Sequence, residues 1–359
     1  MQRSEGPIVS NSQKTASTLT TAEHPTPATD GAASPLAQRF ARVFSNQQTI
    51  LLLVLIGMVI LFSVLNPVFF TTDVFGNILL DWGPIALIAV AETFVVISGG
   101  IDLSVGATLG FAGVLAAYAM QAMTGAGLGD GLTIFLGTLV AAAVGVGVGL
   151  VNSLLINRAH LVPFIATLAT LGAAGGMSIV LTGGAPIANG PASAISLSVP
   201  WLGPLSWPGI VVIVVVVITG LYLHRSRFGR YTFAIGSNPF AALAAGINVK
   251  RQLTKISALS GFLAGLAVMF LYLRLGSGAP TSGAGNELDA IAAVVIGGVA
   301  LSGGMGRMSG TVLGSLILAT VTSGLIIIGV EPNWKQVVVA ILIAAAVSLQ
   351  ALRSKGRTS

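Results

Sequence analysis

A chain of 359 residues that is 54% hydrophobic and 8% charged, with a mean hydropathy of +0.92, is too apolar for water. Soluble domains carry about a quarter charged residues. The formal net charge of +6 does not point to nucleic acid, because the basic residues lie between apolar runs rather than clustered with stacking or base-reading side chains. With no cysteine and only His24, His160 and His224, widely scattered, neither a disulfide framework nor a metal centre is expected.

Residues 1–36 are rich in Ser, Thr, Ala and Pro without a periodic apolar face, and predict a disordered cytoplasmic tail that reaches residue 44. No basic segment leads into an apolar core with a small-residue cleavage site, so a signal peptide is not expected there. A helix rises about 1.5 Å per residue and the hydrocarbon layer is about 30 Å thick, so a crossing needs roughly 20 apolar residues. Ten runs qualify within the transmembrane domain, 45–353: 48–66, 78–98, 103–123, 131–156, 161–181, 208–224, 256–274, 288–302, 309–330 and 335–352. Residues 354–359 are left as a short cytoplasmic tail. Lipid offers no partner to backbone groups, and continuous Leu, Val, Ile, Ala and Gly runs suit helices rather than barrel strands. The expected fold is an all-α polytopic membrane protein of about ten transmembrane helices.

With both termini cytoplasmic, every basic residue except Arg274 and Lys335 falls inside, leaving 15 of the 17 in accord with the positive-inside rule. The eighth run is the weak member: its uninterrupted apolar core, Ala290 to Leu301, is short, so it is read as a short, broken crossing. Glycines recur at GxxxG spacing, Gly106/Gly110, Gly145/Gly149, Gly172/Gly176, Gly261/Gly265 and Gly310/Gly314, which predicts close helix packing within the chain before any dimer seam. GIDLSVG at 100–106 is echoed by NELDAIA at 286–292, each ahead of an apolar run. That echo suggests an inverted repeat of spans 2–5 onto 7–10, with the two segments on opposite sides of the membrane.

The polar residues at membrane depth are the candidates for a solute pathway. Asp102 follows Gly99-Gly100 and precedes the third run, where a carboxylate can cap a helix, contact a solute or relay a proton. Asp289, beside Glu287, holds the corresponding place before the eighth run. Glu92 lies inside the second run, where an ionisable group faces the bundle interior or a wet cavity. Asn152, Ser153, Thr167 and Thr170 complete the set; a threonine can bond its own backbone carbonyl, whereas an asparagine is harder to satisfy that way.

Four blocks in order, SGGIDLSVG (98–106), VPFIATLATL (162–171), FGRYTFAIGSNPFAALAAGINV (228–249) and ELDAIAAVVIGGVALSGGMGRMSGTVLGSLI (287–317), resemble the membrane permease of ribose-type sugar ABC importers. The resemblance implies a permease subunit in the bacterial inner membrane, not itself an enzyme. It also implies a second permease, most simply an identical one, a cytoplasmic ATPase, and an extracytoplasmic solute-binding protein; the solutes would be sugars or related polyhydroxyl molecules. The chain has no phosphate loop of the form GxxxxGK[ST], so ATP would be used by the partner ATPase and no cofactor is expected here. The resemblance makes the stretch containing Arg225, Gly229, Arg230, Gly236, Asn238, Phe240, Leu243 and Gly246 the loop that couples to the ATPase. There the family carries charged residues where this chain has Phe240 and Leu243, and a serine where it has Ala245. In the ninth run Thr322, Ser323 and Ile326 stand where relatives often carry asparagines. The competing reading is a proton-coupled secondary transporter with Glu92 and Asp102 as its relay.

Overall fold

The computed structural model describes residues 47–331 and 334–355. The tail predicted over 1–44 and residues 356–359 of the terminal segment lie outside them. Twelve α-helices are found among the described residues: α1 (Gln47–Leu65), α2 (Thr72–Ile97), α3 (Val105–Gly125), α4 (Asp130–Asn157), α5 (Pro163–Thr182), α6 (Trp207–Arg225), α7 (Arg227–Ser237), α8 (Pro239–Ala244), α9 (Val249–Leu275), α10 (Asn286–Ile296), α11 (Met308–Ile327) and α12 (Trp334–Lys355). The same residues contain no β-strand, only isolated bridges such as Ile187 with Gly278.

Local signals account for many of the boundaries. Asn66, Ser206, Asn238 and Asn248 each cap the helix that follows by accepting a backbone N–H through the side chain. Gly183 and Gly276, at φ +61° and +67°, close α5 and α9 in the left-handed conformation that a side chain disfavours. Helix α9 starts seven residues before its predicted run because Asn248 caps a polar first turn, Lys250 to Lys255, that hydropathy alone does not see. Helix α2 likewise begins at Thr72, six residues ahead of its predicted start.

Eight of the helices, α1 to α6, α9 and α11, are long and apolar enough to cross a membrane. Helices α10 and α12 occupy the other two predicted positions; α10 has only 11 residues and α12 has 22. The apolar sequence continues to Leu301, but the helix stops at Ile296 because Gly297 and Gly298 follow, the latter at φ +83°. On its other flank α10 is preceded by a non-helical stretch, 277–285, that runs antiparallel to α3. A side chain on Gly110 would meet the carbonyl of Pro280, and one on Gly278 would meet the carbonyl of Gly113.

Helix α2 is the hub: 89% of its most apolar window is buried against 11% for α1, and it packs on α6, α7, α9, α10 and α11. The tightest pair is α4 with α9. A Cβ on Gly145 would overlap the carbonyl of Gly261, one on Gly149 that of Ser257, and one on Gly265 that of Ala141. The expected packing role of these two GxxxG pairs is realised by their facing each other. Gly310 and Gly314 similarly admit the carbonyls of Gly297 and Ala293 on α10. Gly172 and Gly176 meet nothing within 4 Å, so α5 turns that pair away from its own chain.

Gly261→Leu therefore wedges α4 from α9 and is expected to destabilise the protein by about 1 to 3 kcal/mol or more. Gly172→Leu, on an open face, should stay within about 0.5 kcal/mol. Thermal unfolding of the two variants in detergent separates these outcomes.

Candidate functional site

Helix α2 ends where Ser98, Gly99 and Gly100 donate their N–H groups to the carbonyls of Phe94, Val96 and Val95, with Gly99 at φ +88°. The chain then folds back into the bundle. The N–H of Asp102 donates to Oε1 of Glu92 at 3.1 Å, more than a turn inside the end of α2. Asp102 in turn accepts through Oδ1 from the N–H of Ser104 at 2.9 Å and its hydroxyl at 2.6 Å, and through Oδ2 from the hydroxyl of Ser260 on α9 at 2.8 Å. An Asx turn thus holds the residue just before α3 while a second helix takes the remaining oxygen.

The network continues outward. Asn152 Nδ2 donates to Ser104 Oγ at 2.7 Å, and Asn152 Oδ1 faces Thr170 Oγ1 on α5. Thr167 reaches the carbonyl of Ile101 at 3.2 Å while also bonding that of Pro163 in its own helix. Five of the eight pathway candidates, Glu92, Asp102, Asn152, Thr167 and Thr170, are therefore brought together around the 98–104 turn. All are buried, and Glu92 is fully sealed, its Oε2 without a hydrogen-bond partner among the described residues.

The other three lie elsewhere. Ser153 donates to Thr254 at 2.7 Å in a separate polar seam between α4 and α9, which Asn157 extends. Asp289 is bound by Nζ of Lys335 at 2.7 Å. Half-buried Glu287 accepts from the N–H of Gly285 and leaves its other oxygen against Gly106, where a Cβ would overlap it. The GIDLSVG and NELDAIA segments consequently meet, Glu287 lying against Gly106. Both are preceded by non-helical backbone that reaches inward, so each helix begins inside the bundle.

Sequence reasoning passed over the partners: Ser104, Ser260, Thr254, Lys335, Arg274 and Asp81. A usable signal existed for two of them. Arg274 and Lys335, the exceptions to the positive-inside count, both form side-chain ion pairs, Arg274 with Asp81 and Lys335 with Asp289.

The predicted coupling loop forms two short helices. Ser226 caps α7, and Gly229 packs so closely on the carbonyl of Leu223 that no side chain fits. Phe228, Thr232 and Ile235 face inward, while Arg225, Arg227, Arg230 and Tyr231 are exposed. Asn238 then accepts from the N–H groups of Phe240 and Ala241, both at 3.0 Å, with Pro239 in the first turn of α8. Gly246 at φ +81° closes it with bonds to Leu243 and, through Ile247, to Ala242. Only Ala242 faces inward; Phe240 and Leu243 are 83% and 61% exposed. Between α8 and the end of α2 lies a cavity of about 390 Å³, lined among others by Ser98, Gly99, Pro239, Ile156, Leu253 and Ser257.

A family model described as the permease component of branched-chain amino acid transport systems matches residues 74–347. The chain belongs to this family. It is 41% identical over 300 residues to a ribose import permease of Bacillus subtilis, covering 83% of this chain and 90% of the relative. A ribose import permease of Escherichia coli is 38% identical over 312 residues, 86% and 94% of the two chains. The galactose/methyl galactoside import permease of the same organism is 34% identical over 315 residues, 85% and 93%. The protein is thus a multi-pass inner-membrane permease subunit of an ABC importer, and works with an ATPase and a solute-binding protein carried on other chains.

Removing Lys335 leaves Asp289 buried and without its charge partner. Lys335→Ala is expected to lower detergent stability by about 1 to 3 kcal/mol. The exchange Asp289→Lys with Lys335→Asp should recover much of that loss if the pair acts through charge, and thermal unfolding in low salt measures both.

Proposed function

We propose that this chain forms the transmembrane route for a sugar or related polyhydroxyl solute, in a complex with an identical second permease and two copies of a cytoplasmic ATPase. It performs no covalent chemistry and needs no cofactor of its own; ATP is used by the partner. The family description alone would also admit an amino acid as solute, but the relatives that align over more than four-fifths of the chain are sugar import permeases. Sugar is the reading those full-length alignments support.

The single observation that carries the coupling is α8. Two large apolar side chains held out into solvent on a capped helix gain about 1.5 to 3 kcal/mol each when a partner buries them. A self-sufficient carrier has no use for such a projection. The charged residues of the family are absent at Phe240 and Leu243, so attachment of the ATPase here rests on apolar burial. The proton-coupled alternative has less support: Glu92 and Asp102 are tied to each other and to serine hydroxyls inside the bundle rather than lining an open path. Residues at that site shape the route by holding the 98–104 turn.

The ten-crossing arrangement, with both termini cytoplasmic and spans 2–5 repeated in inverted sense by 7–10, goes with this reading. It takes α10 and the non-helical stretch before it as one broken crossing, and it leaves Arg274 and Lys335 outside with their charges paired. Single cysteines at exposed Ala192 and Lys250 should then be labelled from opposite sides of the membrane. Labelling of both from one side would overturn this topology.

Replacing Phe240 and Leu243 together with Asp should leave the permease inserted and folded but release the ATPase. Co-purification and uptake both unchanged in that double variant would remove α8 from the coupling interface.

A further inference from the structure

The three stretches that meet beside α8 approach backbone to backbone at Gly99, Gly236, Gly303 and Gly304. The N–H of Gly304 donates to the carbonyl of Ile97, the last residue of α2, at 2.9 Å. A Cβ on Gly236, near the end of α7, would overlap that same carbonyl and the nitrogen of Gly304. One on Gly303 would crowd the carbonyl of Gly236 and the Cα of Gly99, each at 3.0 Å, and one on Gly304 would press on the backbone of Ser237. Gly99, Gly303 and Gly304 have φ of +88°, +81° and +73°, a region that other residues reach only at a cost.

From this junction the chain reaches α8 in one direction and the polar site in the other, within a few residues. Ser237 and Asn238 lead directly into α8. Gly99 and Gly100 lead directly to Asp102, whose carboxylate is held by Ser104 and Ser260. A contact between side chains can absorb a push by changing rotamer. A contact between hydrogen-bonded backbones has no such slack, so displacement on one side appears on the other. On the opposite flank the cavity of about 390 Å³, lined by Ser98, Gly99, Gly236, Pro239 and Ser257, leaves room for that displacement.

The geometry points to the junction of Gly99, Gly236, Gly303 and Gly304 as the element that carries movement of α8 into the 98–104 turn, with the cavity as its clearance. The inference rests on α8 being the ATPase contact, and makes these glycines positioning residues for transport that touch neither solute nor nucleotide.

The test uses the full complex of permease, ATPase and binding protein in proteoliposomes, following uptake of labelled D-ribose or D-galactose against ATP hydrolysed. Gly236→Ala inserts a methyl group at the junction, and Ser257→Phe fills the cavity from α9 while leaving every junction residue unaltered. Both should keep the ATPase bound and hydrolysing while uptake per ATP falls about tenfold or more, within the usual span of conformational coupling. Gly183→Ala, at φ +61° with nothing within 4 Å, should transport as the unaltered chain does. Unchanged uptake per ATP in Gly236→Ala and Ser257→Phe overturns the inference; should Gly236→Ala fail to insert, Ser257→Phe decides by the same ratio. Absence of ATP-driven uptake by the unaltered complex would instead refute the transport reading on which it rests.

Discussion

The constraint on which this structure depends is the close approach of helix backbones where no water is present to drive helices together. In lipid the hydrophobic effect does not distinguish a helix face packed on protein from one packed on acyl chains, so association rests on van der Waals contact and on polar groups that need partners. Gly145, Gly149, Gly261 and Gly265 let α4 and α9 meet carbonyl against Cα, and Gly310 and Gly314 do the same for α11 on α10. Gly106 and Gly110 extend the principle to non-helical backbone, admitting 277–285 alongside α3. Gly278, Pro280 and Gly283 of that stretch are buried against the bundle while Thr281 and Ala284 stay exposed. Irregular backbone is tolerated within a membrane protein only against protein or a wet cavity.

Polar groups then fix the register that glycine contacts leave open. Asp102 spends its two oxygens on Ser104 and Ser260, which pins the start of α3 to α9, and Asn152 carries the same network through α4 to α5. A shift of one residue along any of these helices would leave buried acceptors without donors, at a cost of about 1 to 3 kcal/mol each. The ion pair of Asp81 with Arg274 acts likewise between α2 and the end of α9, and that of Asp289 with Lys335 between α10 and α12. The site is thus rigid in its centre, and its freedom is concentrated at the cavity beside α8.

Much of the functional plan follows from that contrast. A permease driven from another chain must receive force at its surface and deliver it to its interior without losing it in side-chain adjustments. On the reading proposed above, that surface is the pair of exposed apolar side chains on α8, and the path inward runs through the glycines behind it. On the same reading, Phe240 and Leu243 set the chemistry of attachment while the backbone behind them sets its geometry.

What the sequence by itself determined was set by solvent and by local chemistry. Apolar run length placed helices at all ten expected positions, and α8 is bounded by Asn238-Pro239 and Gly246, because caps and turns are decided by neighbours in the chain. The polar candidates on α2, α4 and α5 were legible for the same reason, since an ionisable or amide group at depth always needs a partner. The partners themselves were not. Ser260 lies 158 residues from Asp102, Lys335 lies 46 from Asp289, and serine is too common to stand out. Nor could a hydropathy profile show that α10 stops at Ile296, or that the segments at 100–106 and 286–292 meet through Gly106 and Glu287. Those features depend on which backbones come close enough for a missing Cβ to matter, and only the tertiary structure decides that.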